Sequence, residues 1–210
     1  MWLVARKLTF SKGATMKRSK MEFLTPDELL AVLAVARERS VRDWAMILIT
    51  YSHGLRASET CRLNLADVNL KDGSIFARRL KGSQTTTQQL MPHRGEPLLD
   101  EIAALRTWLK FRPTDSGDAL FISQKGGHLS ATQFYRLFRD IARAAGLPST
   151  KQHPHVLKHS IASHLVGQNV NLAKVKQFLG HSAISSTMAY VSVSDQEASK
   201  EAHSALMNLF

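Results

Sequence analysis

One short stretch of this chain, residues 64–92, interrupts the helical periodicity that dominates the rest of the sequence. Within it, residues 68–70, 75–78 and 87–91 have the composition of short strands. Lys71-Asp72-Gly73 and Lys81-Gly82-Ser83 separate these strands and have the composition of turns. The sequence therefore predicts a mainly α-helical fold with one small antiparallel β-sheet.

Helical patterns lie on both sides of this sheet segment. The run Thr25-Pro26-Asp27-Glu28 combines a capping box with a first-turn proline, which predicts the start of a helix. Its apolar stripe is predicted to contain Leu29, Leu30, Leu33 and Ala34. Ser130 is a plausible N-cap and Gly146 a plausible end for a later helix. The remaining predicted elements are helices over 41–52, 57–63, 97–111, 130–145, 154–167, 172–179, 185–190 and 195–209, and an extended piece over 119–123.

The length of 210 residues suits one domain with a sizeable core. No apolar run approaches the ~20 residues of a membrane span, and no signal-peptide pattern opens the chain. Cys61 is the single cysteine, so the sequence contains no intrachain disulfide framework. We expect a buried structural thiol at Cys61, a cytoplasmic protein and no membrane association.

The charge of the chain is strongly positive, with 28 Lys and Arg against 17 Asp and Glu and a net charge of +11. Such an excess favours polyanionic partners, nucleic acid first, over the alternative of a merely soluble basic protein. An anionic membrane surface fits less well, because no predicted helix has a basic face opposite an aromatic one. Residues 1–21 form a basic arm that is either a solvated tail or a strand along DNA phosphates.

The last third of the chain collects residues suited to attack on a phosphate: His155, Lys158, His181 and Tyr190. Cleavage of a phosphodiester without a metal needs a nucleophile, cations for the non-bridging oxygens, a base and an acid. A tyrosine nucleophile suits a reversible cut, because its aryl ester keeps the bond energy for resealing. Tyr51 and Tyr135 have no comparable cations around them in the sequence.

Two more candidates lie earlier in the chain. Arg56 follows a helix-ending Gly54, where an arginine can bind a phosphate bidentately through its guanidinium. Glu59 could orient Arg56. A surface salt bridge is the alternative for this pair. Lys81, in a predicted hairpin turn, could reach a 5′ oxygen, although most turn lysines are simply solvated.

The segment HPHVLKHS places His155, Lys158 and His159 on the first turns of one helix, whose N-terminus favours a phosphate. A metal site is the alternative for His153, His155 and His159, but no Cys, Asp or Glu stands at ligand spacing nearby. We therefore predict neither a metal nor another cofactor. The ring of His159 is expected to pack inside the protein with its hydrogen bonds satisfied.

DNA-contacting residues are predicted in two places. On the helix over 130–145, Gln133, Arg136 and Arg139 could read bases in the major groove, or the arginines could contact phosphates. Arg78 and Arg79, just before the hairpin turn with Lys81, are the other DNA-binding candidates.

Taken together and in order, GLRASE, the turn lysine, HVLKH and LGH followed by a tyrosine resemble the tyrosine recombinases, or phage integrase family. The resemblance covers about residues 22–195, and we take 22–194 as the catalytic domain. The segments HGLRASE, RRLKGSQTT, QFY and HPHVLKHS, and the layout, are most similar to the short fimbrial inversion recombinases. Most members of the family carry a separate helical domain before the catalytic one.

The resemblance implies that Tyr190 attacks the scissile phosphate and forms a 3′-phosphotyrosine link. It implies that Arg56 and residue 158 neutralise the phosphate and that His181 hydrogen-bonds to it. His155 would act as a base toward Tyr190. The implied fold is the DNA breaking-rejoining catalytic domain.

Further roles and partners are implied in the same way. Lys81 would donate a proton to the 5′ oxygen. The substrate would be double-stranded DNA, bound by a dimer on each site and a tetramer in synapsis, with strand exchange through a Holliday junction. Accessory DNA-bending proteins would be further partners.

The chain departs from the family pattern at Lys158, where the family has arginine. Lysine keeps the charge but loses the planar fork, so we expect slower chemistry. A catalytically weakened DNA-binding protein and a type IB topoisomerase-like enzyme remain the alternatives. The helix over 195–210 has an apolar side and is predicted either to dock into a neighbouring subunit or to pack on its own chain.

Overall fold

Eight α-helices and one three-stranded sheet form the part of the chain that the computed structural model describes. That part comprises residues 21–80 and 82–191, together with residues 199, 203, 204, 206 and 207. The basic arm except Met21, the turn residue Lys81 and most of the predicted C-terminal helix lie outside it. The helices are α1 (Pro26–Arg39), α2 (Val41–Ser52), α3 (Ala57–Thr60), α4 (Glu101–Phe111), α5 (Ala131–Ala144), α6 (His155–Gly167), α7 (Leu172–Leu179) and α8 (Ser185–Met188).

The first helix begins where the capping box predicted. The Glu28 backbone N–H donates to Thr25 Oγ1 at 3.2 Å, and the Thr25 N–H donates to Glu28 Oε2 at 2.7 Å. The buried positions of α1 are Leu29, Val32, Leu33 and Ala36, one helical face at spacings of three and four. The predicted stripe was therefore wrong at Leu30 and Ala34, which are half-buried, and it missed Val32 and Ala36.

The predicted sheet is confirmed as three antiparallel strands in the order β1 (Val68–Asn69), β2 (Ser74–Ala77) and β3 (Thr86–Gln89). In its register, Val68 pairs with Ile75, and Phe76 pairs with Thr87. Side chains alternate across β2, with Ile75 and Ala77 buried and Phe76 exposed. The connection between β2 and β3 covers residues 78–85 and includes Lys81.

Two predicted elements differ in detail from the observed ones. The helix over 97–111 is divided into a 3₁₀ turn, Pro97–Leu99, and α4, because Asp100 caps a new helix by accepting from the Ala103 N–H at 2.7 Å. The extended piece over 119–123 forms isolated bridges, Asn64 with Ala119 and Ile122 with His128, rather than a strand of the sheet. Further 3₁₀ turns are Leu65–Asp67 and Ser149–Lys151.

The main core is centred on α2, which packs against α1, α4 and α6. Residues 45–49 on this helix are fully buried. Cys61 is buried as expected, and burial raises the pKa of its thiol to about 12. A second, smaller apolar cluster of Ala162, Val175 and Leu179 joins α6 to α7, and the ring of Tyr190 packs against it. None of the helices in the described part has the length and apolarity needed to cross a bilayer.

Candidate catalytic site

Arg56 lies at the N-terminus of α3, where the chain turns after Gly54. Its Nη1 donates to Glu59 Oε1 at 2.8 Å and to Ser83 Oγ at 3.1 Å, and its backbone N–H donates to Glu59 Oε2 at 2.8 Å. Glu59 therefore holds Arg56 in place, whereas a bare surface salt bridge would leave its backbone N–H unbonded. The Arg56 side chain keeps 26% of its surface exposed, so part of it is accessible to a ligand.

Glu59 is the carboxylate around which this part of the site is built. Its side chain is fully buried and also accepts hydrogen bonds from the Leu80 N–H at 3.1 Å and from Arg79 Nη1 at 3.4 Å. Burial raises the pKa of Glu59, but the hydrogen bonds from Arg56 and Leu80 and the charge of Lys158 outweigh it, so the net pKa is lowered. The carboxylate is therefore ionised and joins α3 to the end of β2.

Arg79 corrects the sequence-based prediction of a DNA contact. Its side chain has no exposed surface, because its guanidinium donates to the carbonyl oxygens of Gly54 (2.8 Å), His53 (2.8 Å) and Phe178 (3.0 Å). Its Nε has no hydrogen-bond partner among the described residues. The prediction was wrong: Arg79 fastens the ends of α2 and α7 to the sheet from inside the protein.

Lys158 also faces inward. Its Nζ donates to the carbonyl oxygens of Gly54 at 2.9 Å and Leu179 at 3.3 Å, which are at the C-terminal ends of α2 and α7. Burial, with the nearby charges of Arg79 and Arg56, lowers the pKa of Lys158 to about 7, although Glu59 opposes the shift. In this structure the ammonium therefore binds two helix ends, and its contact with a phosphate stays a prediction.

His181 follows the left-handed Gly180 that ends α7. Its Nδ1 lies 3.0 Å from Oγ1 of Thr187, a fully buried residue of α8. Burial and the charges of Lys158, Arg56 and Arg79 lower the pKa of His181 to about 4. The ring is therefore neutral at neutral pH, and Thr187 fixes which of its edges faces the site.

Gly180 ties the same segment to the β2–β3 connection. Its carbonyl oxygen accepts from the Gln84 N–H at 2.9 Å, and a Cβ at this position would lie 2.5 Å from the Gln84 carbonyl oxygen. Its φ of +66° is in the left-handed region that favours glycine. This close approach holds the connection that carries Lys81 beside His181; the placement of Lys81 itself is outside the described residues.

Tyr190 is half-buried two residues after α8, and its hydroxyl lies 2.9 Å from Nδ1 of His159. Burial raises the pKa of Tyr190, and the charge of Arg56 partly offsets that increase. His159 is half-buried with its Nδ1 bonded, so the expected internal packing with a satisfied ring is partly confirmed, and its partner is Tyr190.

His155 is the exposed first residue of α6, one turn before His159. The two imidazole rings meet edge to face with centroids 5.8 Å apart. Loss of hydration and the charges of His153, Arg56 and Lys158 lower the pKa of His155, although Glu59 opposes the shift. His155 thus lies at the open side of the cluster, and its role as a base stays a prediction.

The other DNA-contact candidates are on exposed surfaces. On α5, Gln133, Arg136 and Arg139 are all exposed, although Gln133 Oε1 accepts from the Ser130 N–H at 2.8 Å as part of the helix cap. Arg78, at the end of β2, pairs with Asp67 at 2.9 Å and keeps 57% of its side chain exposed. These four positions stay candidates for contact with DNA.

The phage integrase family profile matches residues 22–197 of this chain. The chain belongs to that family, the tyrosine recombinases. It is 36% identical over 177 residues to the type 1 fimbriae regulatory protein FimB of Escherichia coli K12, a match that covers 81% of this chain and 84% of FimB. This match confirms the resemblance to the fimbrial proteins.

Solved recombinase structures share the fold. The crystal structure of the XerA recombinase superposes with a TM-score of 0.70 at 25% identity, covering 87% of this chain and 64% of that chain. The XerH site-specific recombinase, solved bound to its difH substrate, superposes with a TM-score of 0.70 at 23% identity, covering 93% of this chain and 57% of that chain. Part of each Xer protein therefore lies beyond the match.

Several residues that support the candidate site of this tyrosine recombinase have weak signals in its sequence or none. Ser83 accepts a hydrogen bond from Arg56, and its hydroxyl two residues after Lys81 is the signal for it in the sequence. Thr187 orients His181, but nothing in its spacing distinguishes it from a helix-surface threonine. The Gly54 carbonyl, which receives both buried cations, is a backbone group that no side-chain motif marks.

The arrangement of side chains does not support the alternative of a metal site at His153, His155 and His159. Within residues 21–80 and 82–191, no group of three or more His, Cys, Asp or Glu side chains is arranged to hold one ion. The ring nitrogen Nδ1 of His159 is engaged with Tyr190.

Proposed function

We propose that this protein cuts and rejoins double-stranded DNA at specific sites through a 3′-phosphotyrosine intermediate, with Tyr190 as the nucleophile. The observation that carries the proposal is the convergence of Tyr190, His155 and His181 around Arg56. After burial, the charge of Arg56 is one of the causes that lower the pKa of His155 and His181, and it partly offsets the rise that burial causes in the pKa of Tyr190. Residues that are distant in sequence thus share one cation, as a phosphate site requires.

The proposed cleavage step balances without a cofactor. The Tyr190 oxygen attacks the scissile phosphorus, the bond from phosphorus to the 5′ oxygen breaks, and the tyrosine proton passes to a base, assigned to His155. Lys81 is assigned as the acid that protonates the departing 5′ oxygen. Arg56 and His181 would stabilise the non-bridging oxygens, and reversal of the same step would reseal the strand.

We propose that Lys158 slows this chemistry relative to an arginine at the same position. Two carbonyl oxygens hold its ammonium in the DNA-free protein, and a phosphate would have to compete with them. Arginine has five N–H donors in a planar fork, so it could keep an internal carbonyl bond and still offer a pair of donors to the phosphate. Lysine offers a single point charge.

The proposed assembly follows the family pattern: a dimer on each DNA site and a tetramer in synapsis. Residues 22–194 would form the catalytic domain, with the basic arm 1–21, α5 and Arg78 along the DNA. Residues 195–210 would dock into a neighbouring subunit. The solved XerH complex with its difH substrate supports DNA as the ligand. Accessory DNA-bending proteins and a cytoplasmic location are part of the proposal.

Covalent trapping tests the proposed function. The protein would be mixed with nicked suicide duplexes that carry candidate sites from its own genomic flanks, and adducts would be read on denaturing gels. We expect an adduct that Tyr190→Phe abolishes and Tyr51→Phe, a change at a tyrosine of α2 whose hydroxyl contacts His164, leaves intact. An adduct that survives Tyr190→Phe would overturn the assignment of the nucleophile.

Lys158 supports one alternative function, a DNA-binding protein that occupies its site without cutting. The discriminating variant is Lys158→Arg in the same assay. An adduct that grows in this variant would identify the lysine as a handicap. Binding without any adduct until Lys158 is replaced by arginine would favour the silent binder. Relaxation of supercoiled DNA without sequence preference would instead indicate topoisomerase activity.

A further inference from the structure

The Tyr190 hydroxyl has its hydrogen-bond partner on α6, and that partner is not the histidine that the sequence motif suggested. Nδ1 of His159 lies 2.9 Å from the hydroxyl oxygen, and the two rings are tilted by 46° with centroids 5.9 Å apart. Among the described residues this is the hydroxyl's one hydrogen bond to a side chain. His155 instead contacts the edge of the His159 ring.

We propose that His159 is a positioning residue that accepts a hydrogen bond from the Tyr190 hydroxyl and holds its oxygen in place for attack on phosphorus. The proposal rests on the proposed function and names a further participant in it. Its first support is mechanical: Tyr190 follows α8, a helix of four residues, whereas His159 lies on α6, a helix of 13 residues. The bond ties a nucleophile on a short element to a rigid one.

The proposal assigns the hydroxyl as donor and Nδ1 as acceptor, and the surroundings of both rings are compatible with that direction. Burial and the charges of His155, His153 and Lys158 lower the pKa of His159 to about 4, so its imidazole is neutral at neutral pH. Burial raises the pKa of Tyr190, so the phenol keeps its proton. A neutral imidazole with its proton on Nε2 offers Nδ1 as an acceptor, and the phenol donates to it.

A fixed oxygen matters for the rate because an attacking atom must approach phosphorus in line with the leaving oxygen. A phenol that rotates freely spends little time in that geometry, and one hydrogen bond to a rigid helix restricts it. The bond holds the hydroxyl until the phenol proton is transferred to His155, the base assigned above. It exists without DNA, so it can be measured separately from catalysis.

The chain contains an internal control for this measurement. Tyr51 of α2 and His164 of α6 form a second tyrosine–histidine pair, with the hydroxyl 2.8 Å from Nδ1. The third tyrosine, Tyr135, is 45% exposed on α5. The protein has three tyrosines in all, so each can be assigned by its own Phe variant.

The first test is fluorine NMR of the full DNA-free chain with 3-fluorotyrosine at its three tyrosines. We expect His159→Phe, which keeps a ring but removes the acceptor, to shift the Tyr190 signal and leave the Tyr51 signal unchanged. His164→Phe should have the reverse effect, and the Tyr135 signal should stay constant in both. An unshifted Tyr190 signal in His159→Phe would overturn the contact.

The second test measures the rate of adduct formation at saturating suicide duplex. We expect His159→Phe to slow it about tenfold, the effect of losing one hydrogen bond of ~1.4 kcal/mol, with DNA affinity unchanged. His159→Asn, which retains an acceptor near the position of Nδ1, should recover much of the rate. A purely structural role would weaken DNA binding as well and would not distinguish Asn from Phe.

The two tests separate the failure of this proposal from the failure of the proposed function. If the wild type forms an adduct and His159→Phe neither shifts the Tyr190 signal nor slows the reaction, the role of His159 is wrong and the function stands. If no adduct forms while His159→Phe shifts the signal, the contact stands, and both the cleavage activity and the positioning role are wrong.

Discussion

Arg79 and Lys158 donate to the same carbonyl oxygen, that of Gly54, at 2.8 Å and 2.9 Å. Arg79 lies two residues after β2 and Lys158 lies on α6, so one backbone oxygen just after α2 joins the sheet segment to the helix that carries the candidate histidines. Two buried cations therefore bind the same carbonyl oxygen, and Glu59 is the carboxylate that offsets the charge of both.

Because Lys158 is buried at this shared carbonyl, we predict that it makes the stability of the protein depend on pH. In the folded protein the pKa of this lysine is lowered from 10.5 to about 7, so between these values the unfolded chain binds more protons than the native one. The free energy of unfolding should therefore rise with pH across this window on account of this group, by at most ~1.4 kcal/mol per pH unit. Below pH 7 both states are charged, and the cost of burying the charge is constant.

The measurement is denaturant unfolding of the wild type and Lys158→Met at several pH values from 7 to 9.5. Methionine keeps the apolar length and removes the charge, so contributions from other groups cancel in the difference. We expect the wild type to gain stability relative to the variant as pH rises. A difference that does not change with pH would show that the pKa of Lys158 is not lowered.

A second prediction concerns Glu59, which balances the buried cations. Replacement by glutamine keeps the shape but leaves Arg79 without a charged partner in the interior, so Glu59→Gln should lower the free energy of unfolding by about 3 kcal/mol. Because the pKa of Glu59 is lowered, its contribution is present above its ordinary value of 4.5 and is lost as pH falls below it.

Glu28→Gln is the matched control for this change. Glu28 pairs with Lys151 at 2.7 Å on a partly exposed surface, and such pairs contribute less than about 1 kcal/mol. Unfolding curves of both variants at neutral pH provide the comparison. Equal losses in the two variants would refute the special role of Glu59.

The sequence was sufficient for most of the fold because the deciding signals are local. The bounds of α2 and α7 were predicted to the residue, and the capping box at Thr25 and the cap at Ser130 begin α1 and α5 where expected. Caps and periodicity act over a few residues, so neither requires knowledge of tertiary packing.

The sequence also contains a signal for the inward direction of Arg79. Side chains alternate along a strand, and β2 buries Ile75 and Ala77, so continuation of that alternation turns Arg78 outward and Arg79 inward. The charge of Arg79 predicts a surface position, whereas the alternation along the strand predicts the buried position that is observed. Burial became acceptable because three carbonyl oxygens and Glu59 surround the guanidinium.

The partner of Tyr190 could not have been found in the same way. His155 and His159 are one helical turn apart, so both project from one face of α6, and sequence spacing cannot decide which of them meets a tyrosine on another element. The packing of α6 against α7 and the path of the chain after α8 decide it.

A third prediction tests the close approach of Gly180 to the β2–β3 connection. Alanine here would adopt a left-handed backbone and would also place its Cβ 2.5 Å from the Gln84 carbonyl oxygen. Gly146→Ala is the control, because Gly146 has a φ of +77° but nothing within 4 Å of a Cβ. We expect a loss of about 1 kcal/mol in Gly146→Ala, and about 1–3 kcal/mol more in Gly180→Ala.

Gly180→Ala should in addition slow adduct formation on suicide duplexes, because the displaced connection carries the candidate acid Lys81. Gly146→Ala should leave that rate unchanged at a temperature where both variants are folded. Unfolding curves give the stability difference and the trapping assay gives the rate. If both glycine variants lose the same stability, the contact with Gln84 does not constrain the fold.

The last prediction distinguishes phosphate contact from base reading on α5. Arg136 is exposed on this helix, so Arg136→Ala should weaken binding to duplex DNA. If Arg136 contacts a phosphate, the loss should be similar on the target and on a random duplex, and the slope of log K against log salt should fall by about 1. If it reads a base, the loss should be confined to the target, because the non-specific complex does not use that contact.

Arg106→Ala is the control for charge alone, since Arg106 is exposed on a different helix, α4. Both substitutions remove one positive charge from the same net charge of +11, so they change long-range attraction to DNA by similar amounts. Binding isotherms at several salt concentrations would be compared for both variants on both duplexes. Equal losses in Arg106→Ala and Arg136→Ala would mean that α5 is not the DNA-facing helix, because a contact acts at one surface and net charge acts at all of them.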